Sequence, residues 1–142
     1  MLSDKSTVCP NNLLDIAQQK RGIKAAIVNA GKELPMLSVI DAVKEKLIIP
    51  VLIGEEDKIR EIAEKLKFDI SEFKIINEPD ENNTAKVAAK LAGDGDVKII
   101  VKGHIHTDIL MKEVLQRKYN LIGKTRLTVS YTHLTLPTIC SV

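Results

Sequence analysis

The stretch "VKGHIHTDIL", Val101 to Leu110, holds the densest set of chemically capable side chains in the sequence. His104 and His106 stand two apart, so on an extended segment they point the same way, and Asp108 is placed to join them. Imidazoles and a carboxylate at that spacing suit a divalent metal. The same ten residues also suit an anion. Lys102 offers a positive charge at a strand's tip, and Gly103 lets main chain come close to a ligand. Thr107 can cap the helix that follows and present a hydroxyl. A helix opening there turns its free N–H groups toward a bound phosphate.

The two chemistries make different demands on the rest of the chain. A catalytic metal takes at least three protein ligands, each oriented by further partners. "GHIH" resembles the Gly-His-x-His element of calcineurin-like phosphoesterases, and "HIHTD" resembles the His-x-His-x-Asp element of metallo-β-lactamase-like hydrolases. Both families need more His and Asp ligands than this chain offers. His133 is its one other histidine, Ile109 stands where the lactamase-like pattern has His, and no Asp-x-His or Asn-His-Asp is present upstream. A metal-dependent hydrolase using His104 and His106 is therefore the weakest reading, and no metal is expected. Plain structural roles compete with the anion reading: Thr107 as a cap and nothing more, the histidines bonding loop backbone, and Lys102 as a solvated strand-end charge.

The elements around this stretch follow from apolar spacing. Asn11 or Asn12 is expected to cap a first helix running to about Lys20, with Leu13, Ile16 and Ala17 on one face. "KAAIVNAG" reads as a buried strand and a turn, and Met36, Val39, Ile40, Val43 and Leu47 recur at helical spacing. "LIIPVLIG" predicts a second strand ending at Gly54; its Pro50 lacks a ladder donor, which favours the strand's start or the sheet's edge. Ile59, Ile62, Ala63 and Leu66 stripe the next helix, "FKIINEP" is a short third strand, and Thr84, Val87, Ala88 and Leu91 stripe a helix that stops near Gly93. "DGDVKIIVKG" supplies the fourth strand, and the last helix turns Leu110, Met111, Val114 and Leu115 inward.

Strands that are apolar throughout are covered on both faces, so the pattern predicts a three-layer α/β fold on an open, mainly parallel sheet. Such sheets bind ligands beyond the carboxyl ends of their strands. "KGHIHT" sits at one such end, and Asn29, Gly31 and Lys32 after the first strand are weaker pocket candidates. There is no Walker pattern and no G-x-G-x-x-G, so neither a P-loop nor a dinucleotide site is supported.

Bulk properties exclude several classes. The 142 residues make one domain, and a net charge of +2 with the signs interspersed marks no nucleic-acid or membrane surface. No apolar run approaches the roughly 20 residues of a membrane helix, and "MLSDKSTVCP" lacks a signal peptide's apolar core. Two cysteines, Cys9 and Cys140, suit a reducing cytoplasm. Aromatic residues are only 3% with no Trp, which argues against base-stacking platforms.

A family resemblance covers about residues 11–127. "LLDIAQQK", "KAAIVNAGKELPMLSVIDAVKEKLIIPVLIGEEDKIREIA", "IIVKGHIHTDILMKEVL" and "LIGKTRL" resemble, in that order, the N-terminal part of the phosphate acetyltransferase/phosphate butyryltransferase family, the butyryl branch above all. Lys-Gly-x-x-x-Thr, from Lys102 to Thr107, is the most specific element. The resemblance implies the first domain of an isocitrate/isopropylmalate dehydrogenase-like fold. It also implies exchange of phosphate and CoA on an acyl group, acyl-CoA plus phosphate giving acyl phosphate plus CoA, with no metal or organic cofactor. Lys102, Gly103, His104, Thr107 and Arg126 are then the phosphate- or substrate-binding candidates, and a homo-oligomer is implied for the full-length protein. The alternative from a different class is a small-anion-binding α/β module without catalysis.

Beyond "GKTRL" the resemblance ends. From Val129 the chain reads "VSYTHLTLPTICSV", with no Asp, Glu, Lys or Arg, and "VSYTHLTLPT" resembles translated sequencing-adapter DNA. The expected organisation is thus an N-terminal extension at 1–10, a partial acyltransferase domain at 11–127 and a non-family, artefactual tail at 128–142. The catalytic acid–base residues are expected in a missing C-terminal half. The truncated chain is expected to be inactive, with a sheet edge left uncovered.

Overall fold

The structure, a computed structural model, describes residues 10–123. Strand and helix alternate along them: α1 (Asn11–Gln18), β1 (Ile23–Val28), α2 (Glu33–Lys44), β2 (Ile48–Gly54), α3 (Glu56–Lys65), β3 (Lys74–Asn77), α4 (Glu81–Gly93), β4 (Ile99–Lys102) and α5 (Thr107–Val114), then a 3-10 turn at Arg117–Tyr119. The four strands form one sheet in the order β3-β2-β1-β4, and every pairing is parallel. In register, Ile27 faces Leu52 on one side and Val101 on the other.

The period of two along each strand divides the core into two layers. Ala25, Ile27 and Leu52 pack with Met36, Val39 and Ile40 of α2 and Ile59 and Ala63 of α3. Ala26, Val28, Val51 and Ile53 face the other way, onto Ala85 and Ala88 of α4 and Leu110 of α5. Each large aliphatic side chain fully buried here contributes about 1.5–3 kcal/mol. The small residues of α4 let that helix lie close on the sheet. Helices on both faces of a parallel sheet make the α/β expectation correct.

Four local expectations are corrected. Pro10, not an asparagine, occupies the position before α1, and its carbonyl accepts from the N–H groups of Leu13 and Leu14. The apolar face of α1 is not buried, since Leu13 and Ile16 remain more than half exposed. Pro50 lies within β2, an interior strand, where it is buried opposite Ala25. β3 begins only opposite Val51, so that flank of β2 has no neighbour at position 50 and tolerates a missing donor. Leu115, just past the end of α5, is exposed, while Glu113 within the helix is buried and accepts from the Tyr119 hydroxyl at 3.3 Å.

Among the described residues no helix is long and apolar enough to cross a membrane. Arg126, the end of the family-like stretch at 127 and the tail from Val129 lie outside the described residues.

Candidate functional site

From β1 the chain builds outward to β2 and β3, then returns to the opposite side of β1 as β4. That reversal leaves a crevice outside the carboxyl ends of β1 and β4, the place where open α/β sheets hold ligands. A cleft of about 650 Å³ lies there. One wall is the start of α2, with Lys32, Glu33, Leu34, Pro35 and Ser38; the other is Lys102, Gly103 and His104 at the end of β4.

Backbone chemistry explains how the two walls are joined. Asn29 ends β1 at φ 56°, a left-handed conformation that Asn tolerates better than most residues. From there its side-chain amide donates to the His104 carbonyl at 2.5 Å, while its own carbonyl accepts the His104 N–H at 3.2 Å. The Gly103 N–H donates to the Val28 carbonyl at 2.9 Å. A Cβ on Gly103 would stand 2.3 Å from the Val28 carbonyl oxygen and 2.7 Å from that of Asn29. Glycine is therefore required by the close approach of two backbones.

The amides after Gly103, expected to face an anion, divide into bonded and free ones. Besides Gly103 and His104, the Ile105 N–H bonds the Gly103 carbonyl and the His106 N–H bonds Glu81. The unbonded donors begin one residue later, at Thr107, Asp108 and Ile109, because Leu110 is the first amide to bond back into α5. Thr107 is the first residue of the helix and not its cap; His106 holds that position and makes no side-chain cap. The first turn of α2, which faces the cleft, likewise has no side-chain cap, and its first helical bond is Met36 N–H to the Lys32 carbonyl.

The charges in the cleft do not cancel. Lys32 and Lys102 are exposed cations, and the one carboxylate on the lining, Glu33, accepts from the Lys65 ammonium at 2.7 Å. The hydrogen bond to Glu33, and then its charge, raise the Lys65 pKa above the ordinary lysine value. Glu33 is thus answered from α3, leaving the two lysines beside the positive end of α2.

Glu81, the first residue of α4, was not singled out by sequence reasoning. One of its oxygens, Oε1, meets both the His106 N–H at 2.5 Å and His106 Nδ1 at 2.8 Å. The backbone bond first, and then the bond to the ring, hold the Glu81 carboxyl below the usual glutamate range. An ionised carboxylate only accepts, so this geometry places the imidazole hydrogen on Nδ1.

The structure therefore brings Lys102, Gly103 and His104 together in one cleft, while Thr107 lies outside its lining. Of the weaker candidates only Lys32 lines it. Asn29 stitches the loops, and Gly31 is buried against Lys58. Glu33, Leu34, Pro35 and Ser38 escaped the sequence reading, although a proline in a first helical turn just after a strand signals a helix N-terminus. Among the described residues no three His, Cys, Asp or Glu side chains are grouped so as to hold a metal ion.

No protein-family model matches the chain. A phosphate acetyltransferase of Rickettsia typhi is 32% identical over 120 residues, which are 84% of this chain and 34% of that protein. A phosphate butyryltransferase of Clostridium acetobutylicum is 31% identical over 116 residues, 81% of this chain and 38% of that protein. Among solved structures, a phosphotransacetylase from Streptococcus pyogenes matches 77% of this chain and 43% of its own with a TM-score of 0.62 and 18% identity, a likeness of fold alone. The chain spans about a third of the length of these curated relatives. Over more than four fifths of its length, then, this chain is similar to phosphate acetyltransferases and phosphate butyryltransferases.

Proposed function

We propose that this chain is part of an acyltransferase that exchanges phosphate and CoA on an acyl group, and that the cleft between β1 and β4 holds an anionic group of one reactant. The observation that carries the reading is the meeting of Lys32, just before α2, and Lys102, at the tip of β4, with the uncapped start of α2 in one concave site. In the exchange a phosphate oxygen attacks the thioester carbonyl, a C–O bond forms, and a tetrahedral oxyanion results. The C–S bond then breaks, and CoA leaves as a thiolate that takes up a proton. The two lysines and the first-turn N–H groups of α2 neutralise the phosphate and hold it in line with the carbonyl. In this reading His104, which lines the same cleft, donates to the developing oxyanion. The family resemblance adds Thr107 and Arg126 as phosphate-binding candidates, a guanidinium being able to fork two phosphate oxygens; Thr107 lies outside the lining of this cleft and Arg126 outside the described residues.

The finer parts of the proposal follow the family. The sheet is the beginning of an isocitrate/isopropylmalate dehydrogenase-like fold, and residues 11–127 are the family domain, with 1–10 and 128–142 outside it. The acid–base groups, much of the CoA site and a homo-oligomeric surface belong to the part of the relatives' length that this chain does not span. The partners are acyl-CoA and inorganic phosphate in the cytoplasm, and no cofactor enters the chemistry.

The test uses a full-length protein carrying this stretch. CoA thiol is released from butyryl-CoA or acetyl-CoA only when phosphate is present, and Lys32→Ala and Lys102→Ala each raise the phosphate KM about tenfold, near 1.4 kcal/mol. Thiol release at the same rate without phosphate replaces the reading with a thioesterase. Phosphate binding without CoA-dependent turnover replaces it with an anion-binding module.

A further inference from the structure

The loop from β4 to α5 is anchored at three points. Its start is tied to β1 through Gly103 and Val28, with Asn29 bonding His104 twice. Its middle is held by Ile105, which is buried in the layer beneath α4 and α5. Its end depends on one side chain that neither strand supplies. Glu81, 25 residues away at the start of α4, accepts the backbone N–H and the ring of His106 on a single oxygen. The ring itself stays in solvent, with 77% of the His106 side chain exposed against 29% for Glu81. Burial of the imidazole does not explain the pair; a carboxylate reaching for an otherwise unbonded amide does.

We propose that Glu81 is the positioning residue of the β4–α5 loop. By taking the His106 amide it sets where α5 begins, and with Asn29 at the other end it holds His104 and Lys102 at the cleft. Glu81 touches no ligand in this account and acts through the loop. The consequence for a bound anion rests on the cleft reading above, whereas the consequence for the loop stands without it.

The experiment follows backbone amides of the 142-residue chain by NMR, with inorganic phosphate as the probe. In Glu81→Ala, hydrogen exchange at the His106 amide accelerates at least about tenfold while the core amides of Ile27 and Leu52 exchange as before. The His104 amide signal moves, and the phosphate Kd rises roughly fivefold. Glu81→Gln, whose side-chain carbonyl accepts the same N–H, restores most of the His106 protection. Unchanged His106 exchange in Glu81→Ala overturns the proposal, and so does equal phosphate affinity once that protection is lost. If Glu81→Ala loses protection throughout its core, Glu81→Gln decides: a folded core with a protected His106 amide supports the proposal, and a folded core with an unprotected one overturns it. Should the unaltered chain bind no phosphate, the cleft reading fails, while His106 exchange still judges Glu81.

Discussion

β1 and β4 are neighbours in one sheet and both are built of short apolar runs, yet they live in different surroundings. Ala25 through Val28 of β1 are wholly buried, whereas Ile99 of β4 is 39% exposed. The cause is position. β1 has strands on both sides and helices on both faces, while β4 has a strand on one side only among the described residues. The candidate site straddles this difference. Lys102, Gly103 and His104 lie at the end of the less buried strand, and Gly103 and His104 gain their fixed geometry by bonding to the end of the more buried one.

The contrast predicts unequal costs, to be read from urea unfolding. Ile27→Ala is expected to cost about 4 kcal/mol, as truncations in a closed core do, and Ile99→Ala less than about 1 kcal/mol. Equal losses would break the comparison, because they would mean that the flank of β4 is as enclosed in solution as β1. Gly103→Ala probes the joint between the strands. Its new methyl group would stand 2.3 and 2.7 Å from two backbone carbonyl oxygens, and the expected loss is about 3 kcal/mol. Asn29→Ala is a smaller step, costing roughly 1–2 kcal/mol through the lost bond to the His104 carbonyl and the left-handed backbone that Ala resists. Asn29→Gly recovers the backbone part alone, so its stability should fall between the two. A glycine variant no better than the alanine one would place the whole effect in the hydrogen bond.

Much of this architecture is legible in the residues. Continuous runs such as "AAIV" and "PVLIG" announce strands covered on both faces, and the helix stripes of α2, α3 and α4 appear at the expected spacing because their burial is one-sided. The misreadings share a cause. Leu13 and Ile16 have the spacing of a buried face but meet no covering layer among the described residues. Pro50 looks like an edge residue, yet it sits inside the sheet beside a strand that starts one residue too late to need its donor. In both cases local pattern reports what a segment can bury, and the arrangement of other segments decides what it does bury.

The site divides along the same line. Lys102, Gly103 and His104 were identifiable because strand, glycine and helix start are written within one short stretch. Lys32 and the first turn of α2 became their partners only through the order of the strands. Glu81 reached His106 only because α4 and α5 share a face of the sheet.

The sequence by itself determined the alternation of strand and helix, the parallel sheet and the stretch on which the chemistry centres, since all three follow from hydrophobic period and local turn chemistry. Tertiary structure alone decided which loops face one another and which amides are already bonded, because those depend on contacts between residues 25 to 75 positions apart that no local pattern encodes.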